Sequence, residues 1–566
     1  MIVSLPPAAI LILGALFVPL LRGRLQSAYL VALPLLSGLQ LIGFYGLPEG
    51  SHLQISIFDT TLTLLRIDKL SLVFGLIFHI VALLSVIYAL HVRDNVQHVA
   101  GLIYAGAGIA AVFAGDLITL FVYWELTAVS SVFLIWASRN ERAYRAGMRY
   151  LVVQLGSGVL LLAGIVFFVR ATGSIEFGHM NHWTLGTLLI FLAFGIKCAF
   201  PLLHNWLQDA YPEATPTGTV FLSAFTTKLA VYALARGFAG TEILIYIGVT
   251  MTIFPIFYAV IENNLRRVLA YSLNNQLGFM VCGIGIGTPM ALNGTVSHAF
   301  AHLLYKALLF MSMGAVLHRT GKIKASELGG LYKSMPLTAI FCIVGAVSIS
   351  GFPLFSGFVT KSMVLDAAAG QHYMLVLLGL LLASAGVMEH SGIKIPFFAF
   401  FAHDSGIRCK EAPLNMLIAM GVTALLCLLI GVFPAPLYGM LPFEVDFQPY
   451  TVSHVITSLQ LLLWAALAFC VLMRTGLYPQ ETPSTNLDSD WVYRKVLPRA
   501  YGGIVDGLSI ARTRLVEGGM RRLTRLLDGV YRHHGPQGVF ARTWPTGSTV
   551  LWVAIFLGAF LILYYL

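Results

Sequence analysis

Two lysines lie inside long apolar stretches in the middle of this chain. Residues 188–204 read LLIFLAFGIKCAFPLLH and contain Lys197, and residues 219–235 read TVFLSAFTTKLAVYALA and contain Lys228. Apolar runs of about 18 or more residues are typical of helices that span a membrane. A charge at the bilayer centre costs roughly 2.5–3.5 kcal/mol or more, so such residues are retained where they face a protein interior or water. The two stretches therefore predict a helical membrane protein with an ion or proton path.

The same apolar character extends along the whole chain. Of the 566 residues, 58% are hydrophobic and 11% are charged, whereas soluble domains carry about 25% charged residues. We therefore expect an all-α polytopic membrane protein with fourteen to sixteen spanning helices, because the apolar runs lie at 7–21, 27–46, 69–91, 98–114, 117–138, 148–170, 184–204, 217–240, 242–262, 270–287, 291–317, 336–369 and 371–402 (both interrupted), 413–433, 451–473 and 548–566. The first run lacks a basic leader and a cleavage site, so it is expected to remain as a helix.

Two segments depart from the apolar pattern. Residues 53–66, LQISIFDTTLTLLR, alternate apolar and polar types, which predicts a short β-hairpin on the outer face. Apolar residues recur at helical spacing between 504 and 530, among Arg512, Arg514, Arg521, Arg522 and Arg525. This pattern predicts a basic amphipathic helix along the cytoplasmic interface. A cytoplasmic linker with a few helical turns is the alternative.

The basic residues indicate orientation rather than nucleic-acid binding. They gather in short clusters at helix ends in alternate loops, such as 139–145, while the loop 434–450 contains no lysine or arginine. By the positive-inside rule, the basic loops are cytoplasmic and the N-terminus is outside.

Eight titratable residues within the apolar segments are candidate transport residues: Glu125, Lys197, Lys228, His298, His302, Lys306, Lys361 and Lys394. Burial favours the neutral form of an acid or amine, whereas a nearby opposite charge favours the charged form. A buried Glu–Lys pair is therefore a switchable proton site. A glutamate that reaches the interface and a lysine tied to backbone carbonyls are the structural alternatives.

Spacing and helix breakers strengthen this interpretation. His298, His302 and Lys306 follow at intervals of four, so they share one helix face and form a candidate relay, because histidine changes charge near neutral pH. Glycine and proline flank Lys361 and Lys394, and broken helices at membrane depth line cavities or contact other protein. The tripeptide Gly-Ile-Lys occurs at 195–197 and 392–394, either by chance or as the trace of an internal repeat.

Neither a metal nor a redox cofactor is expected in this chain. The six cysteines form no CxxC pair, and no carboxylate or cysteine completes a ligand set beside the two histidines. A Gly-rich nucleotide loop and a flavin fingerprint are also lacking.

Five motifs together carry a resemblance to a known family: WELTAVSS (124–131), GIKCAFPLLHNWLQDAYPEATPTGTVFLSAFTTKLAVYALAR (195–236), LRRVLAYSLNNQLGFM (265–280), HAFAHLLYKALLF (298–310) and SISGFPLFSGFVTKSM (348–363). The combination resembles the antiporter-like subunits shared by NADH–quinone oxidoreductase, membrane-bound hydrogenases and the Mrp multisubunit cation/proton antiporters. The segment LYPQETPSTNLDSDWVYRKVLPR (477–499) resembles the D-type subunits of the Mrp group more than the quinone-linked subunits.

The resemblance implies a domain plan and residue roles. It implies inverted five-helix repeats at 98–240 and 241–433. The residue pattern adds N-terminal helices with the hairpin at 1–97, a further spanning helix at 434–474, a cytoplasmic amphipathic segment at 475–547 and a terminal spanning helix at 548–566. Glu125 matches the family's ion-pair glutamate, Lys197 its partner, Lys228 the bridging lysine, His302 and Lys306 the central axis, and Lys394 the terminal gate.

The sequence departs from the family pattern at three positions. Asn264 and Gln154 stand where many relatives have aspartate and histidine. Several Mrp D-type relatives carry glutamate at the terminal gate, so Glu389 is the alternative to Lys394 for that role.

The implied function is that of a proton-translocating subunit of a multisubunit cation (Na⁺)/proton antiporter, a transporter rather than an enzyme. Its expected location is the bacterial plasma (inner) membrane, and its expected partners are other subunits, protons, Na⁺ and the lipid bilayer, with no nucleic acid. Two alternatives stay open. The chain could belong to a redox-driven proton pump of the quinone oxidoreductase or hydrogenase type, or to an inorganic-carbon transporter.

Overall fold

The computed structural model describes residues 5–58, 60–180, 182–479, 481–482 and 486–566. They form two compact units, Met1–Asn486 and Leu487–Leu566. The predicted domain boundaries within these two units stay predictions.

The first unit begins with three helices and a hairpin: α1 (Ala9–Ala15), α2 (Gly23–Phe44), β1 (Gly50–Ile57), β2 (Thr60–Ile67) and α3 (Lys69–Ala89). The two strands pair antiparallel, and alternate residues of β2 are buried while β1 is mostly exposed, which confirms the predicted hairpin. The predicted span 7–21 is wrong in extent, since α1 has 7 residues and a 3₁₀ turn containing Pro19 follows it. Proline there restricts the backbone and removes a hydrogen-bond donor.

The next seven helices are α4 (Asn95–Phe113), α5 (Leu117–Trp136), α6 (Glu141–Thr172), α7 (Leu185–Lys197), α8 (Asn205–Ala210), α9 (Pro216–Ala224) and α10 (Thr226–Gly237). Most begin at a residue whose side chain accepts a hydrogen bond from a backbone N–H of the first turn, as Asp116 and Asn140 do and as N-caps commonly do. Helix α7 ends at Lys197, ahead of Pro201. The separation of α9 and α10 at Phe225 lies inside the run 217–240, which the sequence predicts as one uninterrupted span.

Ten further helices complete the first unit: α11 (Ile243–Ile261), α12 (Leu265–Ile286), α13 (Pro289–Thr320), α14 (Pro336–Ser350), α15 (Ser356–Gly370), α16 (Met374–Val387), α17 (Lys394–Pro396), α18 (Leu414–Val432), α19 (Ala435–Tyr438) and α20 (Val452–Thr475). π-Helical turns at Met388–Ile393 and Phe397–Phe401 flank α17, so Lys394 lies in a widened helix. Such turns are rare and often occur at functional sites.

Helix α13 occupies the centre of this unit. It packs against α3, α9, α12, α14, α15 and α18. Of its apolar 18-residue stretch, 94% is buried inside the protein. Neighbouring helices approach closely through glycine: a Cβ on Gly248 in α11 would meet the backbone of Cys282 in α12. Small residues permit such crossings between membrane helices. The polar side chains of α12 and α13 are thereby enclosed by protein.

Among the described residues, 12 helices are long and apolar enough to cross a membrane, and α7 and α14 are shorter apolar helices. The 12 long helices are fewer than the fourteen to sixteen spans that the sequence predicts, because α7 and α14 have only 13 and 15 residues. The predicted fold class, an all-α multi-pass membrane protein, is confirmed.

The second unit consists mainly of two helices, α21 (Leu497–His534) and α22 (Thr546–Tyr565). Helix α21 runs for 38 residues without interruption, or about 57 Å. It includes all five arginines of the predicted amphipathic pattern. A continuous helix of this length confirms that the segment is helical and is incompatible with a linker of only a few helical turns. Its place along a cytoplasmic interface stays a prediction.

Candidate functional site

Lys197 is fully buried and held by the middle of α5. Its ammonium donates to the carbonyl oxygen of Trp124 at 2.5 Å and to Thr127 Oγ1 at 3.1 Å. It also lies 4.4 Å from the centre of the Trp124 ring. In the described part of the chain no ion pair within 4.0 Å joins it to Glu125, although the two charges interact. The predicted Glu125–Lys197 pair is therefore a pair at longer range, with α5 backbone in direct contact with the amine.

Glu125 is half-buried and packs against a glycine of α6. Its Oε1 atom is buried without a hydrogen-bond partner among the described residues. A Cβ built on Gly158 would collide with that oxygen. The carboxylate can occupy this position only because residue 158 is a glycine and has no side chain.

Lys228 is fully buried just after the break between α9 and α10. Its Nζ donates to the carbonyl oxygen of Ser223 at 2.6 Å. Cys198, adjacent to Lys197, is close enough to interact with it electrostatically. Lys228 in turn interacts with His302 and Lys306. It thus lies between the Lys197 region and α13, as the bridging position implies.

The predicted row His298, His302 and Lys306 lies on one buried face of α13, with each residue 0% exposed. His298 Nδ1 is 3.2 Å from Thr360 Oγ1, and its Nε2 is 3.4 Å from the hydroxyl of Tyr305. Both ring nitrogens of His302 and the Lys306 ammonium lack hydrogen-bond partners among the described residues. Buried polar groups normally have a protein or water partner, so this part of the row suits a hydrated path.

Lys361 lies beside the row rather than within it. Its Nζ donates to the carbonyl of Ile349 at 3.0 Å, one residue before α14 ends. It lines a cavity of about 790 Å³, together with Asp366, Asp446 and His454. Because it also interacts with His298 and His302, it connects this cavity with α13.

Lys394 is fully buried at the end of α11. Its ammonium donates to the carbonyls of Ala259, Val260 and Glu262 at 3.3, 2.6 and 2.8 Å. Its Nζ also lies 2.8 Å from Glu481 Oε1. Glu389 is half-buried, and its Oε1 has no partner in the described part of the chain. The contacts therefore favour Lys394 over Glu389 as the gate residue, although that role stays a prediction.

Sequence reasoning missed His390, which lies between Lys306 and Lys394. It is 0% exposed and interacts electrostatically with both lysines. Its Nδ1 is 2.9 Å from Ser391 Oγ. A signal was present: His390 precedes Lys394 by four residues, the same spacing as between His302 and Lys306.

Sequence reasoning also missed Glu481. It follows Lys394 by 87 residues (481 − 394) and lies in a polar segment without a motif. No local pattern links it to a buried amine, so only the tertiary contact reveals it. Among the residues described, no three His, Cys, Asp or Glu side chains converge as a metal site.

The chain is similar to known membrane proteins. The family model described as "NADH:quinone oxidoreductase/Mrp antiporter, TM" matches residues 114–386. A probable K(+)/H(+) antiporter subunit of Rhizobium meliloti (strain 1021) is 29% identical over 409 residues, which covers 66% of this chain and 40% of that protein. Hydrogenase-4 component B of Escherichia coli (strain K12) is 26% identical over 424 residues, covering 65% and 62%.

A solved structure shares the fold along the whole chain. A chain of the membrane-bound sulfane sulfur reductase, an archaeal respiratory membrane complex, superposes with a TM-score of 0.71 at 22% identity, covering 100% of both chains. The resemblance to antiporter-like membrane subunits is confirmed. The chain spans only 40% and 62% of the two curated relatives, so their whole activities do not transfer directly.

Proposed function

We propose that this chain, whose residues 114–386 match the NADH:quinone oxidoreductase/Mrp antiporter transmembrane family model, conducts protons as one subunit of a multisubunit cation/proton antiporter. One observation carries the proposal. A row of titratable side chains extends from Glu125 to Lys394, and the members of the row after Glu125 are fully buried: Lys197, Lys228, His302, Lys306, His390 and Lys394.

Most neighbours along this row interact electrostatically. Glu125 interacts with Lys197, Lys228 with His302, and His390 with both Lys306 and Lys394. A charge gained or lost at one member therefore changes the free energy of charging the next. Proton transfer between them needs only acid–base groups and intervening water, so no cofactor is required in the path.

Backbone carbonyls stabilise the charged form of the buried lysines. A bare ammonium in an apolar interior is unfavourable by several kcal/mol, about the size of one ion's desolvation penalty. The carbonyls that hold Lys228, Lys361 and Lys394 come from helix ends, where the macrodipole places partial negative charge. Each lysine can then hold or release a proton without the helix unfolding around it.

The proposed setting is a larger complex in a bacterial plasma membrane, with K⁺ or Na⁺ as the exchanged cation. Support comes from the relative named as a probable K(+)/H(+) antiporter subunit. The redox alternative has its own support, because hydrogenase-4 component B and a respiratory complex are also similar. In that case the same proton path would serve an enzyme complex.

The test is cation-driven proton flux by the complex isolated with this chain. The complex is reconstituted in liposomes with an internal pH dye, and K⁺ or Na⁺ is added outside. We expect flux from the wild-type complex and its collapse in Glu125→Gln at an unchanged level of assembled protein. Normal flux in a well-assembled Gln variant would overturn the proton path.

Two further measurements separate the alternatives. Co-isolated flavin or iron–sulfur absorbance, with flux driven by an electron donor and not by a cation, would favour the redox pump. Robust cation-dependent flux from the purified single chain would overturn its role as a subunit.

A further inference from the structure

The segment after α20 lies against the end of the proton path. We call residues 476–486 the strap, of which 476–479, 481–482 and 486 are described. Tyr478 packs on Phe469 with ring centres 5.1 Å apart. Asn263 Nδ2 donates to the carbonyl of Thr482 at 3.4 Å. Asn486 Nδ2 donates to Glu262 Oε2 at 3.3 Å. The strap is therefore attached at both ends to the elements around Lys394.

Between these attachments, the strap places one carboxylate on Lys394. Glu481 Oε1 lies 2.8 Å from Lys394 Nζ, and the two side chains are 8% and 0% exposed. The Lys394 ammonium directs its hydrogen bonds to the three carbonyls at the end of α11. The separation between Glu481 Oε1 and Lys394 Nζ is within hydrogen-bonding distance of the ammonium, and neither Glu481 oxygen has another donor among the described residues. The carboxylate can therefore take a proton directly from the amine.

The surroundings of Glu481 allow it to hold a proton. Burial raises the pKa of its carboxyl, Lys394 opposes that shift, and Glu262 reinforces it. Glu389 and Tyr478 also interact with it. Arg267 lies 3.6 Å from Glu262 and offsets part of that negative charge. One positive amine thus faces more than one carboxylate, so a proton on Glu481 is less unfavourable than on an exposed glutamate.

We propose that Glu481 carries the proton between Lys394 and the outside of the protein, a role that rests on the proposed proton-conducting function. In this step the Lys394 ammonium gives its proton to the Glu481 carboxylate, which leaves a neutral amine and a carboxylic acid. The acid then releases the proton to water and returns to the carboxylate. Glu481 suits this step because it retains some exposure whereas Lys394 has none.

Lys197 and Lys394, the lysines of the two Gly-Ile-Lys tripeptides, then interact with glutamates from different parts of the chain. Lys197 interacts with Glu125, two helices earlier in the chain. Lys394 receives its acid from the strap, which lies outside both predicted repeats. The exit of the path is therefore completed by sequence that follows the repeats.

The experiment compares Glu481→Gln, Glu481→Asp and a matched control in the assembled complex. The control is Glu327→Gln on the neighbouring loop, where Glu327 forms an exposed pair with Lys324 at 3.3 Å. Cation-driven flux per assembled complex is recorded from acid to alkaline pH. Glutamine keeps the size and polarity of glutamate but cannot accept the proton.

We expect Glu481→Gln to lower flux at least about tenfold, since positioned acid–base groups typically contribute 10²- to 10⁴-fold. Its residual flux should lose the acid limb of the pH profile, where a protonated Glu481 can accept no proton. Glu481→Asp should retain that limb, and Glu327→Gln should match the wild type.

Three results would overturn the proposal. In the first, Glu481→Gln retains wild-type flux and pH profile while Lys394→Met abolishes flux, which leaves the proton path intact but removes Glu481 from it. In the second, Glu481→Gln loses assembly or thermal stability but keeps its flux per complex, which makes the residue merely structural. In the third, Lys394→Met retains flux, which removes the path's end and the proposed function with it.

Discussion

Lys228 Nζ lies 2.6 Å from the carbonyl oxygen of Ser223, across the helix break at Phe225. The last four carbonyls of a helix have no intrahelical partner, and the break exposes such carbonyls inside the protein. Lys361 has the same relation to Ile349 at the end of α14, and Lys394 to the end of α11. Interrupted helices in this protein thus supply ligands for buried amines.

This relation predicts that Lys228 and Lys394 act in series. Lys228→Met and Lys394→Met should each lower cation-driven flux at least about tenfold, because each removes an acid–base group. The double variant should be no worse than either single one, since residues that act as a unit are non-additive. The control is Lys69→Met, an exposed lysine at the start of α3, which should keep full flux. Losses that multiply would instead show two independent paths.

Gly158 is predicted to control the position of Glu125. In Gly158→Ala the new Cβ would overlap the Glu125 carboxylate. The carboxylate is the end of a flexible side chain, so it is the group that moves. We expect flux to fall several-fold while the level of assembled protein is unchanged. Gly156→Ala, in the same helix with nothing within 4 Å of the new atom, is the matched control. Equal flux in the two variants would show that the carboxylate tolerates displacement.

His390 is predicted to be part of the path. His390→Gln keeps a polar side chain next to Ser391 but cannot carry a proton as imidazolium, so flux should drop at least about tenfold. His182→Gln, at an exposed histidine, should have no effect. Thermal stability of both variants in detergent would be measured in parallel. A His390→Gln complex with normal flux would show that protons pass from Lys306 to Lys394 without it.

The ion pair between Asp68 and Arg236 is predicted to stabilise the fold without carrying protons. Arg236 Nη2 donates to both carboxylate oxygens of Asp68, at 2.9 and 2.8 Å, and Asp68 also caps α3 through Ser71. Asp68→Asn leaves a 6%-exposed guanidinium without its counter-charge, so we expect a loss of about 3 kcal/mol. The melting temperature in detergent should fall by several degrees while flux per folded complex is retained. Glu141→Gln, which breaks the exposed pair with Arg145, should change stability by under about 1 kcal/mol.

The Asp68–Arg236 pair also predicts how the stability of the folded protein changes at acid pH. Burial would raise the pKa of the Asp68 carboxyl, but the Arg236 charge and the hydrogen bonds from Ser71 and Arg236 hold it below its ordinary value. A lowered folded-state pKa contributes stability that is complete above the unfolded value of about 3.9. This contribution is lost as the pH falls towards the lower folded value. Melting curves should therefore separate wild type from Asp68→Asn at neutral pH and converge in strong acid. Curves that stay apart there would exclude Asp68 ionisation as the cause.

Much of the fold follows from local sequence. The length of each apolar run predicted most of the helices, and alternation predicted the hairpin of β1 and β2. The run at 7–21 failed because hydropathy does not register the effect of Pro19 on the backbone. The residues of the candidate path were also found locally, since a lone charge in an apolar helix such as Lys197 stands out against its neighbours.

The sequence by itself determined which helices form and which carry a buried titratable group, because hydrophobic burial and helix breaking depend on residues close together in the chain. The tertiary structure alone decided what each amine touches. Lys394 meets the end of α11 more than 130 residues earlier and Glu481 in the strap that follows α20. The partner of a buried charge depends on where distant helix ends meet, and that is set by packing in three dimensions.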